Sequence, residues 1–244
     1  ISVEAPRIAA RAKAGQFIIL RVDEAGERIP LTISSAQDGK VTVVYQKVGG
    51  TTLALDQLQE GDCLHDFVGP LGTPTHVEGY RRVAVLGGGL GCAIALPVAK
   101  AMKEAGAQVD LIGGFRSKDI VILEEEFKAA SSKFVMMTDD GSYGDKGLVT
   151  DALKALLDSG ETYDEVIAIG PLTNLAHLIE TDEDAFACID RLISMGGNYR
   201  SHGNCSPVAE YNYWEDPEAA SIVYRQMEKM GKQIEMIGLD VTRQ

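Results

Sequence analysis

Short apolar strands alternate with helices along the chain from Tyr80 onward. The first strand, "RRVAVLGGG", ends in a glycine turn and is followed by a helix of Ala, Ile, Val and Met that reaches Gly106. A strand, a helix, a strand, a helix and a strand then follow in "AQVDLIGGF", "EEEFKAA", "KFVMMT", "TDALKALLDSG" and "DEVIAIGP". Strands and helices at this spacing form βαβ units, whose strands lie parallel in one sheet. The sequence therefore predicts an α/β domain with a doubly wound, mainly parallel sheet.

The chain before Tyr80 is rich in strands and lacks this alternation. "GQFIILRV" and "KVTVVYQKV" are β-branched stretches, and Gly, Asp and Pro occupy the connections between strands. Several short strands at this spacing are typical of a small barrel or sandwich. We therefore expect a small antiparallel β-barrel over residues 1–79, followed by the α/β domain over residues 80–171.

The composition argues against several classes of function. The formal net charge is −13 and the isoelectric point about 4.7, whereas nucleic-acid backbones are bound by surfaces rich in Lys and Arg. The four cysteines form no CxxC pair, which argues against a zinc or iron–sulfur site and suits reduced thiols in the cytoplasm. No apolar run approaches the roughly 20 residues of a membrane span. We expect a cytoplasmic protein with no nucleic-acid partner and no membrane partner.

Three glycine-rich turns are candidate ligand sites. "VGGTT" offers backbone N–H groups and two hydroxyls at a predicted helix start, which suits a pyrophosphate, although an ordinary hairpin has the same composition. "GPLG" allows a planar ligand to approach the backbone, or is a plain turn. "LGGGLG", between a strand and a helix, suits a diphosphate better. It is not a strict G-x-G-x-x-G motif, because Cys92 stands where the third glycine would be.

The order of the motifs is more specific than any one of them. "RIPLT", "GGTT", "GPLG", "GGGLG", "GFRSKD" and "DDGSYGDKG" follow one another between Ile1 and Pro171. In this order they resemble the ferredoxin–NADP reductase-like superfamily. Within it, the chain is similar to electron-transfer subunits that partner dihydroorotate dehydrogenase and to the small subunit of NADPH:ferredoxin transhydrogenases.

The resemblance implies nucleotide ligands and a redox function. It implies FAD, with NADP or NAD as the second cofactor, and a flavin-dependent NAD(P)H oxidoreductase or electron-transfer subunit that passes hydride from nicotinamide to FAD. It also implies a catalytic partner subunit, dihydroorotate dehydrogenase-like or glutamate synthase-like. We identify no catalytic acid or base, which is normal where two cofactors carry the chemistry.

The resemblance also assigns cofactor-binding residues. Those for FAD are Pro30, Leu31, Thr32, Gly50, Thr51 and Thr52. Those for the NAD(P) pyrophosphate are Gly87, Gly88, Gly89 and Gly91, and those on the nicotinamide side are Asp140, Gly141, Gly170 and Pro171. Arg116 follows the second strand of the predicted parallel sheet, where a guanidinium could pair with a 2′-phosphate or with a surface carboxylate.

Two features depart from the reductase pattern. The family's flavin motif begins with an arginine, but Ile29 occupies that place here and Arg28 lies one residue early. The electron-transfer subunits also carry a cysteine-rich loop that ligates a [2Fe–2S] cluster. This sequence contains no such loop, so we expect no iron–sulfur cluster.

A second resemblance covers about residues 165–244. "IAIGPLTNLAHLI", "ISMGG", "GNCSPVAEYNYWEDPEAASIVY" and "IEMIGLDVT" are similar, in order, to the middle segment of the inosine–uridine nucleoside hydrolase family. By this resemblance Asn204, Glu210 and Asn212 bind the ribose hydroxyls, which need both acceptors and donors. The alternative is that these residues only order a long loop.

The sequence lacks the calcium site of the hydrolases. That family holds Ca²⁺ with an aspartate cluster, D-x-D-x-x-x-D-D, whereas "TDDG" belongs to the reductase pattern here and no second acidic cluster is present. Ca²⁺ takes six to eight oxygen ligands, so we predict no metal site. A nucleoside hydrolase without this site is expected to be inactive, and a non-catalytic fusion is the third alternative.

The two resemblances meet at "YDEVIAIGPLTNLAHLIE". Both families have a strand, a Gly-Pro turn and a helix at this place, so we interpret the chain as a chimera joined there. We expect the hydrolase-like α/β segment to complete or extend the parallel sheet. It would do so with a helix over 173–180, a strand over 192–195, a helix over 216–230 that begins at Asp216-Pro217, and a strand over 233–239.

Overall fold

Five antiparallel strands form the first sheet. The computed structural model describes residues 1–200, 202–203 and 206–239. The strands are β1 (Ser2–Glu4), β2 (Phe17–Arg21), β3 (Ile29–Gln37), β4 (Lys40–Val43) and β5 (Asp66–Leu71), and two short helices, α1 (Pro6–Ala9) and α2 (Gly50–Asp56), accompany them. Their spatial order is β1-β4-β3-β2-β5, which is an open half-barrel. The prediction of a small antiparallel barrel is confirmed in this open form.

The core of the half-barrel consists of β-branched and aliphatic side chains. Alternate residues of a strand point to opposite faces, so Ile18 and Leu20 share the buried face of β2, as Val41 and Val43 share that of β4. Leu55 of α2 belongs to the same core. The "GQFIILRV" and "KVTVVYQKV" stretches therefore form strands because each can bury one apolar face.

Five parallel strands form the second sheet. In chain order the elements are β6 (Arg82–Gly88), α3 (Gly91–Glu104), β7 (Gln108–Phe115), α4 (Glu124–Ala130), β8 (Lys133–Thr138), β9 (Asp145–Lys146), α5 (Val149–Asp158) and β10 (Glu165–Ile169). The strands lie in the order β10-β6-β7-β8-β9, and all the pairings are parallel. The predicted doubly wound, mainly parallel sheet is confirmed.

Helices cover both faces of the parallel sheet. Val83 and Val85 of β6 pack on the side of α3 and α4, and Ala84 and Leu86 pack on the side of α5. β7, the next strand in the chain, pairs with one edge of β6, and β10 pairs with the opposite edge. This reversal leaves a crevice at the carboxyl ends of β6 and β10, which is where doubly wound sheets bind ligands.

The last part of the chain forms its own small core. Its elements are α6 (Thr173–Thr181), α7 (Glu183–Ala187), β11 (Leu192–Met195), α8 (Tyr211–Glu215), α9 (Pro217–Lys229) and β12 (Ile234–Ile237). Phe186, Val223 and Met227 are buried at its centre. Asp216 caps α9 as predicted, because its Oδ1 accepts a hydrogen bond from the Ala219 N–H at 3.0 Å.

The predicted completion of the parallel sheet by this segment is wrong within the described residues. β11 and β12 pair with each other in a separate two-stranded parallel sheet, and β10 remains at the edge of the five-stranded sheet. Central strands of parallel sheets are apolar on both faces. In β11 the buried residue is the polar Ser194, whereas Ile193 and Met195 are exposed. This strand therefore does not carry the continuous apolar run of an inner strand.

None of the helices in the described ranges combines the length and the apolar character that crossing a bilayer requires.

Candidate functional site

The glycines of the turn after β6 have two different surroundings. A Cβ atom added at Gly87 would lie 2.9 Å from Cys92 Cα, and one at Gly91 would lie 3.0 Å from the Ile169 carbonyl oxygen. A Cβ atom at Gly88 or Gly89 would meet no atom within 4 Å. Gly87 and Gly91 therefore allow β6, α3 and β10 to pack closely, whereas Gly88 and Gly89 leave open space for a ligand. Gly89 also has a φ of +52°, which favours glycine.

An open cavity lies beside this turn, at the carboxyl edge of the parallel sheet. We call it the carboxyl-edge cavity; its volume is about 160 Å³. The residues that line it come from the ends of three strands and the starts of two helices. They are Gly88, Gly89, Gly114, Phe115, Arg116, Asp139, Gly147, Leu148, Val149 and Asn174. Open space against the glycine turn and an arginine at the same cavity make it suited to a phosphorylated ligand.

Arg116 lines the carboxyl-edge cavity with an exposed side chain. Its guanidinium forms no ion pair with any carboxylate in the described part of the chain. The alternative role of Arg116, a surface salt bridge, therefore has no partner carboxylate in the described residues. An unpaired guanidinium beside an open cavity is available to a bound anion.

The turn after β8 brings a different aspartate to the cavity from the one that the sequence predicts. Asp140 Oδ1 accepts hydrogen bonds from the hydroxyl and the N–H of Ser142, at 2.6 and 2.9 Å. These hydrogen bonds lower the pKa of Asp140. Asp139, its neighbour, lines the cavity instead. Asp140 and Gly141 thus order the turn, and their contact with nicotinamide stays a prediction.

After β10 too, the residue that lines the cavity differs from those that the sequence predicts. Gly170 and Pro171 do not line either cavity described here, but Asn174, three residues beyond Pro171, lines the carboxyl-edge cavity. The sequence analysis does not identify Asn174 as a candidate, because "GPLTNLA" is interpreted there only as a family motif. The available signal was its spacing, since the start of a helix after a parallel strand faces the ligand edge of the sheet.

A second cavity separates the half-barrel from the parallel-sheet domain. We call it the interdomain cavity; its volume is also about 160 Å³. Pro30, Leu31, Thr32 and Ser34 of β3 line one side together with Val44, and Leu90, Ala93 and Ile94 at the start of α3 line the other. The predicted flavin residues of "RIPLT" therefore meet the helix that follows the glycine turn. The walls are mainly apolar, which suits one face of a planar ring.

The "VGGTT" turn leads into α2 and forms its first turn. The Thr52 hydroxyl accepts hydrogen bonds from the N–H groups of Val48 and Gly49, at 3.1 and 3.0 Å, and donates one to the Gly49 carbonyl at 3.0 Å. A Cβ atom added at Gly50 would meet nothing within 4 Å. Thr52 therefore orders the turn, and Gly50 and Thr51 remain the predicted contacts of a flavin pyrophosphate.

Arg28, the arginine that lies one residue early in the flavin motif, has a partner in the half-barrel. Its Nη2 lies 2.9 Å from Asp66 Oδ2, which also pairs with Arg21 Nε at 2.8 Å. This pairing holds Arg28 at the β5 edge of the half-barrel.

Glu210 and Asn212, two of the three predicted ribose-binding residues, line neither cavity. Glu210 is only 2% exposed, and its carboxylate accepts hydrogen bonds from the N–H groups of Gly197 at 2.7 Å, Asn212 at 2.9 Å and Tyr213 at 3.2 Å. The Asn212 side chain donates to the Met195 carbonyl at 3.2 Å. Asn204 lies outside the described residues. The geometry around Glu210 is thus that of a loop-ordering group, and ribose binding stays a prediction.

In the described ranges, no group of three or more His, Cys, Asp or Glu side chains is arranged to hold a metal ion.

Cys92 is expected to resist alkylation in the folded protein. Burial raises the pKa of its thiol to about 12, so the thiol stays protonated and unreactive at mildly alkaline pH, and its Sγ lies 3.1 Å from the Gly87 carbonyl oxygen. Cys63 and Cys188 are exposed and are expected to react. The measurement is peptide mass spectrometry after treatment with iodoacetamide, with and without urea. Native Cys92 reacting as fast as Cys63 would contradict the burial.

Comparison with known proteins shows that the chain is similar to two families. A curated relative, the dihydroorotate dehydrogenase B (NAD(+)) electron transfer subunit homolog of Thermotoga maritima, is 43% identical over 171 residues, 69% of this chain and 60% of the relative. The electron transfer subunit of Fusobacterium nucleatum is 32% identical over 192 residues, 75% of this chain and 73% of the relative. The chain belongs to the electron transfer subunit family. It nevertheless spans only about 60% of the length of the Thermotoga relative.

A solved structure supports the same fold. A chain of the NADH-dependent reduced ferredoxin-NADP oxidoreductase, studied for flavin-based electron bifurcation, matches with a TM-score of 0.68 and 36% identity. The match covers 75% of this chain and 66% of that chain.

A family model gives the second similarity. Residues 83–244 match the inosine-uridine preferring nucleoside hydrolase family, and by this match the chain belongs to that family as well. The match begins inside β6, so the two similarities overlap in the parallel sheet. Both family resemblances seen in the sequence are confirmed, but the match to the nucleoside hydrolase family begins at residue 83 and not near residue 165 as predicted.

Proposed function

We propose that this chain acts as a flavin-dependent NAD(P)H oxidoreductase or electron-transfer subunit. The observation that carries the proposal is the placement of the two cavities on either side of one strand–helix turn. Gly88 and Gly89 line the carboxyl-edge cavity, and Leu90, the next residue, lines the interdomain cavity. Ligands in the two cavities would therefore lie side by side, as hydride transfer between two cofactors requires.

The residues of both cavities fit the cofactors that the fold implies. The open space at Gly88 and Gly89 lets a pyrophosphate approach the backbone, and Arg116 supplies a positive charge at the same cavity. Pro30, Leu31 and Thr32 face the start of α3 across an apolar gap that suits a flavin ring. When bound, the nicotinamide supplies a hydride and FAD accepts it.

The protein residues contribute binding and orientation. Leu31, Val44 and Ile94 provide apolar walls that hold a ring and exclude water from one side of it. The backbone of the glycine turn holds phosphates without a titrating side chain. We assign no general acid or base, because hydride transfer between two bound rings needs neither.

A catalytic partner subunit belongs to the proposal. The Thermotoga and Fusobacterium relatives are named as electron transfer subunits of a dihydroorotate dehydrogenase or as homologs of one. We propose that this chain also delivers electrons to a second protein, dihydroorotate dehydrogenase-like or glutamate synthase-like. We propose a cytoplasmic location too, because Cys63, Cys92 and Cys188 are free thiols.

Nucleoside hydrolysis is less well supported by the geometry. Glu210, the carboxylate assigned to ribose, already accepts hydrogen bonds from three backbone N–H groups. We therefore propose a structural role for most of the hydrolase-like segment, in which α6 covers α5 and α9 covers α6.

The proposal is tested by the visible absorption spectrum of the protein purified with added FAD. We expect flavin absorption that bleaches on anaerobic addition of NADPH or NADH. A colourless protein that takes up no FAD would overturn the proposal. Release of free base from inosine or uridine is the corresponding assay for the hydrolase alternative, and we expect none.

Replacing Arg116 with alanine is expected to weaken NADPH binding selectively. A charge-assisted hydrogen bond contributes about 1.5–3 kcal/mol, so we expect the Kd for NADPH to rise at least about tenfold while the Kd for NADH changes little. Arg116→Lys keeps the charge but loses the planar fork, so its effect should be intermediate. The measurement is titration with each reduced nucleotide, followed by nicotinamide fluorescence. An equal loss for both would show that Arg116 does not contact a 2′-phosphate.

A further inference from the structure

The carboxyl-edge cavity contains one residue from the hydrolase-like segment. Asn174 is the second residue of α6, half-buried, and it lines the cavity together with Gly88 and Gly89. Its side-chain amide has no hydrogen-bond partner in the ranges that the structure describes. A polar side chain that faces a cavity without a partner is available to a ligand.

Close packing at the end of β10 brings Asn174 to this place. The Ile169 carbonyl oxygen lies so near Gly91 that a Cβ atom there would be 3.0 Å from it. The end of β10 therefore touches the start of α3. The chain then needs only Gly170, Pro171 and Leu172 before α6 begins, so the first turn of α6 reaches the edge of the glycine turn.

A second contact fixes α6 against the cavity wall. His177, three residues after Asn174, places its Nε2 3.6 Å from Asp151 Oδ1. The other oxygen of Asp151 accepts a hydrogen bond from the Leu148 N–H at 2.7 Å, and Leu148 lines the cavity. Residues three apart share one face of a helix. The face of α6 that holds Asn174 is therefore also the face that contacts the start of α5.

We propose that the Asn174 side-chain amide donates a hydrogen bond to the pyrophosphate of a bound nicotinamide dinucleotide. This inference rests on the proposed function, because it takes the carboxyl-edge cavity as the dinucleotide site. Gly88 and Gly89 leave open space against the backbone on one side of the cavity, and the amide of Asn174 offers a side-chain N–H group on another. The hydrolase-like segment thus contributes a binding residue to a reductase site.

The test is the equilibrium affinity for oxidised NADP⁺ and NAD⁺, measured by isothermal titration calorimetry, which needs no turnover. For Asn174→Ala we expect a Kd about tenfold above that of the unaltered protein, which corresponds to 1.4 kcal/mol. For Asn174→Asp we expect a larger loss, because a carboxylate repels phosphate, and we expect added salt to reduce the difference between the two variants. Glu180→Gln, at the exposed end of the same helix, is the control and should bind as the unaltered protein does.

The outcomes separate this inference from the proposed function. Binding by the unaltered protein with the same Kd in Asn174→Ala would overturn the role of Asn174 and leave the proposed function intact. Tighter binding by Asn174→Asp would also overturn it, because the side chain would then be accepting from a hydroxyl. No binding of either NADP⁺ or NAD⁺ by the unaltered protein, in the presence or absence of FAD, would overturn both. Thermal unfolding of each variant shows whether a loss of affinity reflects loss of fold.

Discussion

Replacing Gly88 with valine is expected to abolish the binding of NADPH and NADH without unfolding the protein. A Cβ atom at Gly88 would meet no protein atom within 4 Å, so the added side chain can project into the carboxyl-edge cavity. A phosphate held by backbone N–H groups needs close approach to the chain, which this side chain prevents. We expect the affinity to fall by at least about 100-fold, equivalent to ~2.7 kcal/mol.

The matched control is the neighbouring glycine. A methyl group at Gly87 would lie 2.9 Å from Cys92 Cα and 3.0 Å from Cys92 N, and these backbone atoms cannot move without shifting α3. Gly87→Ala should therefore lower the free energy of unfolding, by about 1–3 kcal/mol for an overpacked site. NADP⁺ titration and thermal unfolding on both variants give the comparison. If Gly88→Val bound NADP⁺ normally, the carboxyl-edge cavity would not be the dinucleotide site.

These two glycines show what the sequence can and cannot predict. The sequence predicts the turn itself, because "VAVLGGGLG" combines an apolar strand, a run of glycines and a helix. It cannot separate Gly87 from Gly88, because the difference depends on Cys92 and on the side of the strand that α3 covers. The alternation of strands and helices was also predictable, because each element buries an apolar side and this leaves a periodic pattern in the sequence.

Contacts between distant parts of the chain were not predictable. The sequence predicts the strand at 192–195 and the helix that begins after Asp216, but not that β11 would pair with β12 apart from the main sheet. Asn174 reaches the cavity only because β10 abuts α3. Glu210 matches the ribose-binding pattern in sequence, yet its environment is set by the backbone N–H groups of Gly197 and Tyr213.

Replacing Asp110 with alanine is expected to destabilise the parallel-sheet domain strongly. Asp110 lies on β7 with only 1% of its surface exposed, and its Oδ2 accepts hydrogen bonds from Arg82 Nη2 at 2.5 Å and from the Tyr163 hydroxyl at 2.8 Å. The guanidinium also lies 5.2 Å from the centroid of the Tyr163 ring and pairs with Glu161. The cluster thus joins β6, β7 and the residues that precede β10. Burial and the hydrogen bond to Asp110 raise the pKa of Tyr163.

Removal of the carboxylate leaves a largely buried guanidinium and a hydroxyl short of a partner. Breaking a buried pair in this way costs about 3–5 kcal/mol, which we expect to appear as a lower midpoint of urea unfolding followed by circular dichroism.

The control for this prediction is an ion pair on the surface. Asp158 lies 2.9 Å from Lys154 Nζ, but its side chain is 63% exposed, so Asp158→Ala should leave the unfolding midpoint almost unchanged.

A second variant, in which Arg82 becomes methionine, Asp110 leucine and Tyr163 phenylalanine together, removes all three partners at once. It should recover much of the lost stability, because the guanidinium that Asp110→Ala leaves short of a partner is then absent, and Glu161, whose side chain is 30% exposed, keeps Lys133 at 4.0 Å. If Asp110→Ala were no less stable than Asp158→Ala, the cluster would not connect β6, β7 and the residues that precede β10 energetically.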